Sequence, residues 1–202
     1  MNVLTRADLL SLEDYARQRA AFRSRVLAHK KNRRVSIGPH AALYFEDRLT
    51  VQYQIQEMLR IERIFEPEGI AAELAAYNPL IPDGDNWKAT FMLEYPDPAQ
   101  RREWLKRLLG IENNVWVKVG DGAAVRALAD EDLARATAEK TSAVHFLRFQ
   151  LEPEMIAAAK EGAAVAVGVD HDEYACCVDP LPEPVRASLV ADLGPKGRAA
   201  SL

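Results

Sequence analysis

The stretch from Asp47 to Glu66 has an apolar surface with few polar positions. At about 100° per residue, one narrow stripe collects several of its polar side chains: Gln52, Gln56, Arg60 and Arg63. The pattern predicts a helix of about five turns at the centre of the fold. Glu57 and Glu62 interrupt the apolar surface, and Glu62 falls near the middle of its widest part. A carboxylate there needs an ion-pair partner, a proton or a metal ion.

The remaining pattern divides the chain into a helical first part, about residues 1–80, and a sheet-rich second part, about residues 87–195. Helical periodicity predicts helices over Leu12–Lys30 and Glu68–Tyr77. From Trp87 onwards much of the pattern has a period of two, which is typical of strands. Strands are predicted over residues 33–37, 41–46, 87–95, 111–119, 123–128, 142–151, 163–169 and 174–178, and further helices over 99–109, 154–160 and 184–193.

These elements predict a single α+β domain over residues 1–202. Its N-terminal third is expected to be rich in helices. The strands are expected to form a mainly antiparallel or mixed sheet with the helices packed on one face.

The composition is that of an ordinary folded domain and argues against several other classes. The chain has 202 residues, of which 49% are hydrophobic and 28% charged, and no apolar run approaches the roughly 18 residues of a membrane span. A net charge of −4 gives no general attraction to nucleic acid or anionic lipid. The two cysteines, Cys176 and Cys177, are adjacent, which excludes a disulfide framework. We predict a cytoplasmic protein without a membrane partner.

The first predicted helix is basic on much of its surface. Between Ala16 and Arg34 the chain has no acidic residue. It carries eight arginines and lysines there: Arg17, Arg19, Arg23, Arg25, Lys30, Lys31, Arg33 and Arg34. One interpretation is a docking face for an acidic partner; the other is a solvated face whose arginines pair with acids elsewhere. Binding of nucleic acid is less favoured, because the net charge is −4 and the chain shows no helix-turn-helix pattern.

The chain contains no strong catalytic or phosphate-binding motif. The candidate metal ligands are scattered: His40, His145, His171, Glu57 and Glu62. These residue types bind iron, manganese or zinc, so the cofactor would be iron or another transition metal. Glu57 and Glu62 lie about 140° apart around a helix and cannot both reach one ion.

Structural alternatives exist for the same residues. His145 alternates with apolar residues in the segment VHFLRF, a pattern typical of a core histidine with satisfied hydrogen bonds. The glutamates are also explained by buried pairing with arginines, of which Arg126 and Arg148 are candidates.

Several segments, read together, resemble one bacterial family. They are QIQEMLRIERIF, AYNPLIPDGDNWKATFMLEYPD, EDLARATAEKTSAVHFLRFQL, GVDHDEY and PLPEPVRASLVADL. Over residues 32–193 the chain resembles the family "domain of unknown function 3501". Members of this family are often encoded beside rubrerythrin and an iron–sulfur oxidoreductase. The resemblance therefore implies a role in a peroxide or oxidative-stress redox module, and it supplies no catalytic residues.

Together these observations predict a cytoplasmic accessory protein without independent enzymatic activity. Its partner would be a rubrerythrin or an iron–sulfur oxidoreductase, and the sequence leaves a homodimer open. The alternatives are a metal- or haem-binding oxidoreductase with a His/Glu site and, less favoured, a nucleic-acid-binding regulator that uses the basic helix.

Overall fold

The computed structural model describes residues 3–131 and 133–194. These residues form six α-helices: α1 (Leu12–Lys30), α2 (Arg48–Ile61), α3 (Pro67–Tyr77), α4 (Pro98–Arg107), α5 (Pro153–Lys160) and α6 (Glu183–Val190). Ser11 and Asp47 cap α1 and α2, because their side chains accept hydrogen bonds from free backbone N–H groups of the first turn. None of the described helices combines the length and the apolar composition that a membrane crossing needs.

The strands of the described residues form two antiparallel sheets. The strands are β1 (Arg34–Ile37), β2 (Ala41–Phe45), β3 (Asn86–Leu93), β4 (Val115–Val119), β5 (Val125–Arg126), β6 (Leu128–Ala129), β7 (Val144–Gln150), β8 (Val165–His171) and β9 (Tyr174–Val178). The larger sheet has the order β1-β2-β3-β7-β6, and the smaller sheet has the order β5-β4-β8-β9.

The α+β class is confirmed, but two sheets replace the single sheet expected from the sequence. The strand predicted over residues 123–128 is divided, since β5 pairs with β4 and β6 pairs with β7. Between them, buried Ala127 donates its N–H to the carbonyl of Val115 at 2.9 Å. The chain therefore passes from one sheet to the other at Ala127. Alternation alone does not predict this crossing, because both halves keep a strand-like pattern.

The inner faces of the two sheets share one hydrophobic core. Buried positions alternate along β3, β4 and β7, whereas residues 165–169 of β8 are buried on both faces. Helix α6 closes part of this core, and the indole N–H of Trp87 donates to the carbonyl of Leu189 at 2.8 Å. Burial of this core is the main source of stability for the fold.

The N-terminal helices enclose a second, smaller core. Its buried members come from the N-terminal segment, α2, α3 and the turn before β3: Leu4, Leu9, Val51, Ile55, Leu59, Ile70 and Ile81. The first 80 residues are nevertheless not purely helical, because β1 and β2 belong to the larger sheet and β2 pairs with β3. The helical part is thus anchored to the sheet by its own strands.

Helix α2 is shorter and less central than the sequence predicts. It ends at Ile61, and Arg63 adopts a left-handed backbone with φ 55°. The N–H of Ile64 then donates to the carbonyl of Leu59 at 2.9 Å, which closes a Schellman turn. The expectation that Glu62 lies within an apolar surface is wrong, because this turn leaves Glu62 exposed. Phe65, beyond the turn, is 68% exposed.

Candidate functional site

A groove of about 840 Å³ lies on the outer face of the larger sheet. Its floor is formed by the outward positions of β3 and β7, and one wall is formed by the end of α3 and the turn that follows. The side chains that define it are both apolar and charged: Tyr77, Leu80, Asp83, Lys88, Phe146 and Arg148. Glu131, from the segment between β6 and β7, stands at its edge.

Two cations lie side by side on the floor of the groove. Lys88 on β3 and Arg148 on β7 are direct register partners in the antiparallel ladder. Like charges in this position repel each other unless acids neutralise them. Asp83 lies 2.9 Å from the Lys88 ammonium, and the Glu131 carboxylate accepts two hydrogen bonds from Arg148 at 2.7 and 2.6 Å. Each cation therefore has its own carboxylate.

Buried Asn86 fixes the turn that forms the wall. Its amide donates to the carboxylates of Asp83 and Asp85, each at 3.0 Å, and its carbonyl oxygen accepts the N–H of Asp83 at 3.1 Å. Burial raises the pKa of Asp83, but the hydrogen bonds from Asn86 and Lys88 outweigh it and lower the pKa overall. The wall is thus held in one conformation by side-chain hydrogen bonds.

The local sequence does not mark this groove as a site. Segment 78–85 has the strongest loop composition of the chain, and loops of this kind often carry function. The alternation in β3 also places Lys88 on the face opposite Trp87. The pairing of β3 with β7 brings Arg148 beside Lys88. This pairing cannot be predicted from the local sequence.

The five predicted metal ligands are not brought together. Glu57 lies between α1 and α2, Glu62 is exposed after α2, His40 lies in the turn between β1 and β2, and His171 ends β8. His145 points from β7 into the interior. No group of three or more His, Cys, Asp or Glu residues suited to a metal ion occurs in residues 3–131 and 133–194.

Glu57 is engaged in an ion pair between α1 and α2. Its two carboxylate oxygens accept hydrogen bonds from Arg19 at 2.7 and 2.8 Å, and Tyr15 donates a further one at 2.6 Å. Arg19, aided by Tyr15 and Arg60, lowers the pKa of Glu57 to about 2. Burial and this carboxylate raise the pKa of Tyr15. Pairing with arginine is the alternative that the sequence allowed, but the partner is Arg19 instead of Arg126 or Arg148.

His145 is the centre of a buried hydrogen-bond network. Its Nδ1 lies 2.6 Å from the Asp130 carboxylate, and its Nε2 lies 2.8 Å from the Thr141 hydroxyl and 3.1 Å from the carbonyl of Ser142. The Thr141 hydroxyl donates to Glu112 at 2.9 Å. The partners on both sides can accept hydrogen bonds, so each ring nitrogen has a partner within the network.

This network resembles a catalytic Asp–His–hydroxyl line, but its burial argues for a structural role. His145 is 0% exposed and Thr141 is 1% exposed, so a substrate has no access to the hydroxyl. The hydroxyl proton is also directed at Glu112 and away from the imidazole. The network ties the segment before β7 to the core, as expected for a satisfied core histidine.

The eight basic residues of the predicted docking face have different environments. Arg33 is 2% exposed and pairs with Asp192 and Asp47, so it cannot contact a docked protein. Four others have partners within the described chain: Arg17 pairs with Asp14, Arg19 with Glu57 and Arg34 with Glu94, and Lys30 lies over the ring of Tyr53.

The remaining three basic residues are exposed. Arg23 and Lys31 make no ion pair with the residues that the structure describes. The Arg25 guanidinium lies 4.8 Å from the centre of the Phe22 ring. The cations are distributed around α1, because Arg23 and Arg25 project about 160° apart. A continuous basic face is therefore not formed by all eight residues.

Comparisons with known proteins agree with the family resemblance. The profile of a family described as "Protein of unknown function (DUF3501)" matches residues 3–193. The chain is 54% identical, with a TM-score of 0.90, to a novel protein of unknown function from Burkholderia pseudomallei whose crystal structure is known. The match covers 96% of this chain and 100% of that chain. No curated protein matches the sequence. The chain therefore belongs to the DUF3501 family.

Proposed function

We propose that this protein binds a small organic molecule in the groove between the turn after α3 and the outer face of β3 and β7. The observation that carries the proposal is the volume of about 840 Å³, which falls within the usual range for sites of small ligands. Apolar walls with a few fixed polar groups are also typical of such sites.

The composition of the groove favours binding over catalysis. Its described lining contains no histidine, cysteine, serine or threonine, and its carboxylates accept hydrogen bonds from Asn86 or Arg148. Lys88, Arg148 and Asp83 are held by hydrogen bonds and ion pairs. The role proposed for the protein is therefore to carry or sense a ligand.

A substitution on the exposed end of α3 tests this function. Ala76 lines the groove and is exposed, so Ala76→Trp is expected to fill the groove without disturbing the core. We expect fragments that bind the wild-type protein at millimolar concentration to lose at least about tenfold in affinity, because the indole occupies their volume. Ligand-observed NMR with a fragment library that contains neutral and charged compounds measures this loss.

Ala75→Trp is the matched control. Ala75 is the adjacent exposed residue of α3 and does not line the groove, so the same fragments should bind this variant as they bind the wild type. Fragment binding that is equal in both variants, or absent from the wild type throughout the library, would rule out the groove as a ligand site.

A second candidate function is docking to an acidic redox partner in the cytoplasm. We propose it because Arg23, Arg25 and Lys31 are exposed cations on or beside α1 in a protein of net charge −4. Unpaired surface cations steer association with acidic proteins. The family resemblance supports a rubrerythrin or its iron–sulfur oxidoreductase as that partner, with this protein in an accessory role.

Charge reversal at these three positions tests docking. For the triple variant Arg23→Glu, Arg25→Glu and Lys31→Glu, we expect at least about tenfold weaker binding to a purified rubrerythrin and a smaller dependence on salt. Surface plasmon resonance at several salt concentrations measures both quantities. Reversal of three exposed cations elsewhere, Arg101, Arg102 and Lys106 of α4, controls for net charge. Equal loss in both triple variants would contradict a specific docking surface on α1.

A further inference from the structure

The two cations of the groove differ in their freedom to bind a ligand. The Lys88 ammonium donates to the carbonyls of Pro79 and Ile81 at 2.8 and 2.9 Å and pairs with Asp83, which uses all three of its donors. Lys88 therefore holds the turn against the sheet. Arg148 instead presents its Nε and Nη2 edge to a single carboxylate, that of Glu131. This planar edge matches a carboxylate in bidentate geometry.

The Glu131 carboxylate that binds this edge of Arg148 is held weakly. It comes from the segment between β6 and β7 and does not belong to the strands of the floor. Its side chain is 52% exposed, and the bonds from Arg148 are the ones that hold it within the described chain. Such an exposed pair contributes little to stability. Exchange of the Glu131 carboxylate for another carboxylate therefore costs little.

The main chain beside Glu131 is fixed independently of Arg148. The Asp130 carboxylate accepts the N–H of Phe146 at 3.0 Å and contacts the His145 ring at 2.6 Å. Rotation of the Glu131 side chain is thus sufficient to free the guanidinium, and the network around His145 stays in place.

The surroundings of Arg148 favour a ligand with an apolar body. Tyr77 and Leu80 form part of the wall, and Phe146 lies on the same outward face of β7, two residues before Arg148. Rings or alkyl chains that pack against these side chains would bury apolar surface away from water, which favours binding. A carboxylate at one end of such a molecule would then reach Arg148.

We propose that Arg148 binds the carboxylate of an organic ligand with an apolar body, and that Glu131 holds this position until the ligand carboxylate replaces it. This assignment rests on the proposed binding function of the groove and adds its ligand class. Glu131 acts as an internal competitor, so its removal strengthens binding of carboxylates but not of their neutral analogues.

The test compares carboxylates with their carboxamides. We would titrate 2-naphthoate, octanoate and indole-3-acetate, each beside its amide, into the full chain by calorimetry. At least one carboxylate is expected to bind at least about tenfold more tightly than its amide. Glu131→Gln should tighten that carboxylate by about threefold to tenfold and leave the amide within about twofold. Arg148→Lys keeps the charge but loses the planar edge, and should weaken the carboxylate by about tenfold.

Glu183→Gln is the matched control, because it removes one negative charge from an exposed bidentate pair, that with Arg186, outside the groove. Carboxylate affinity in this variant should stay within about twofold of the wild type. Equal affinity for acids and amides, no binding of any carboxylate, or equal tightening by Glu131→Gln and Glu183→Gln would overturn the assignment. If the carboxylate assignment fails, loss of neutral-fragment binding in Ala76→Trp would still support the groove as a ligand site. Failure of the assignment is thus distinguishable from failure of the proposed binding function. Glu131→Gln alone keeps the test valid if Arg148→Lys does not fold.

Discussion

Replacement of Arg33 by methionine is expected to lower the free energy of unfolding by about 3–5 kcal/mol, as measured by urea denaturation. Arg33 is almost fully buried and joins the start of the larger sheet to α6 and the residues after it. Its guanidinium donates to the carbonyls of Phe45 and Glu46 at 3.0 and 2.9 Å and pairs with Asp192 at 2.5 Å. Methionine fills similar space but leaves these buried acceptors without a donor.

The loss is also expected to depend on pH. Burial, opposed by Arg33, raises the pKa of Asp192 to about 6 in the folded protein, above its ordinary value of 3.8. Folding therefore takes up a proton between about pH 4 and pH 6, and the contribution of Asp192 to stability decreases as the pH rises through this window. Without Arg33 the buried Asp192 carboxylate has lost its ion-pair partner, so its charged form is less stable. Arg33→Met should therefore be more destabilising at pH 8, where Asp192 is charged, than at pH 5.

Arg34→Met is the matched control for Arg33. Arg34 is the adjacent residue but is exposed, with Glu94 at 2.9 Å as its ion-pair partner. We expect a loss below about 1 kcal/mol, because exposed pairs contribute little. Similar losses for the two variants, or a loss for Arg33→Met that is the same at both pH values, would contradict the buried role of Arg33.

Replacement of His145 by leucine should lower the free energy of unfolding by about 3–5 kcal/mol. The substitution removes the ring contacts on both sides, among them the 2.6 Å contact with the buried Asp130 carboxylate. Because Asp130 anchors the segment before β7, amide hydrogen exchange in residues 133–143 should also accelerate. Urea denaturation and hydrogen-exchange mass spectrometry measure the two effects.

His171→Leu provides the comparison for His145. His171 is partly exposed and contacts the carbonyl of Leu109 at 3.2 Å, so we expect a loss below about 1 kcal/mol and unchanged exchange in residues 133–143. Unchanged stability of His145→Leu would show that the network is dispensable for the fold, and a functional role for His145 would then have to be reconsidered.

The sequence predicted most elements because their signals are local. Ser11 and Asp47 mark the starts of α1 and α2, and the alternation from Trp87 marks β3 together with its outward Lys88. The end of α2 was missed because Arg63 takes a left-handed conformation that usually requires glycine or asparagine. That conformation is stabilised by packing of Ile64 into the small core, which a local pattern does not contain.

The partners of charged groups could not be predicted in the same way. Glu57 and Arg19 are 38 residues apart, and Arg33 and Asp192 are 159 apart. No local spacing relates the members of such pairs. A run of basic residues therefore looked uniform in the sequence, although Arg33 is buried, Arg19 is paired and Arg23 is exposed.

The sequence by itself determined the α+β class, most helix and strand positions, the family, and the polar turn before β3, because caps, periodicity and turn residues act over a few neighbours. Only the tertiary structure decided that the strands form two sheets, that β3 and β7 bring Lys88 beside Arg148, and that Glu131 neutralises this arginine. These features depend on contacts between distant segments, whose free energy comes from burial and charge pairing in three dimensions.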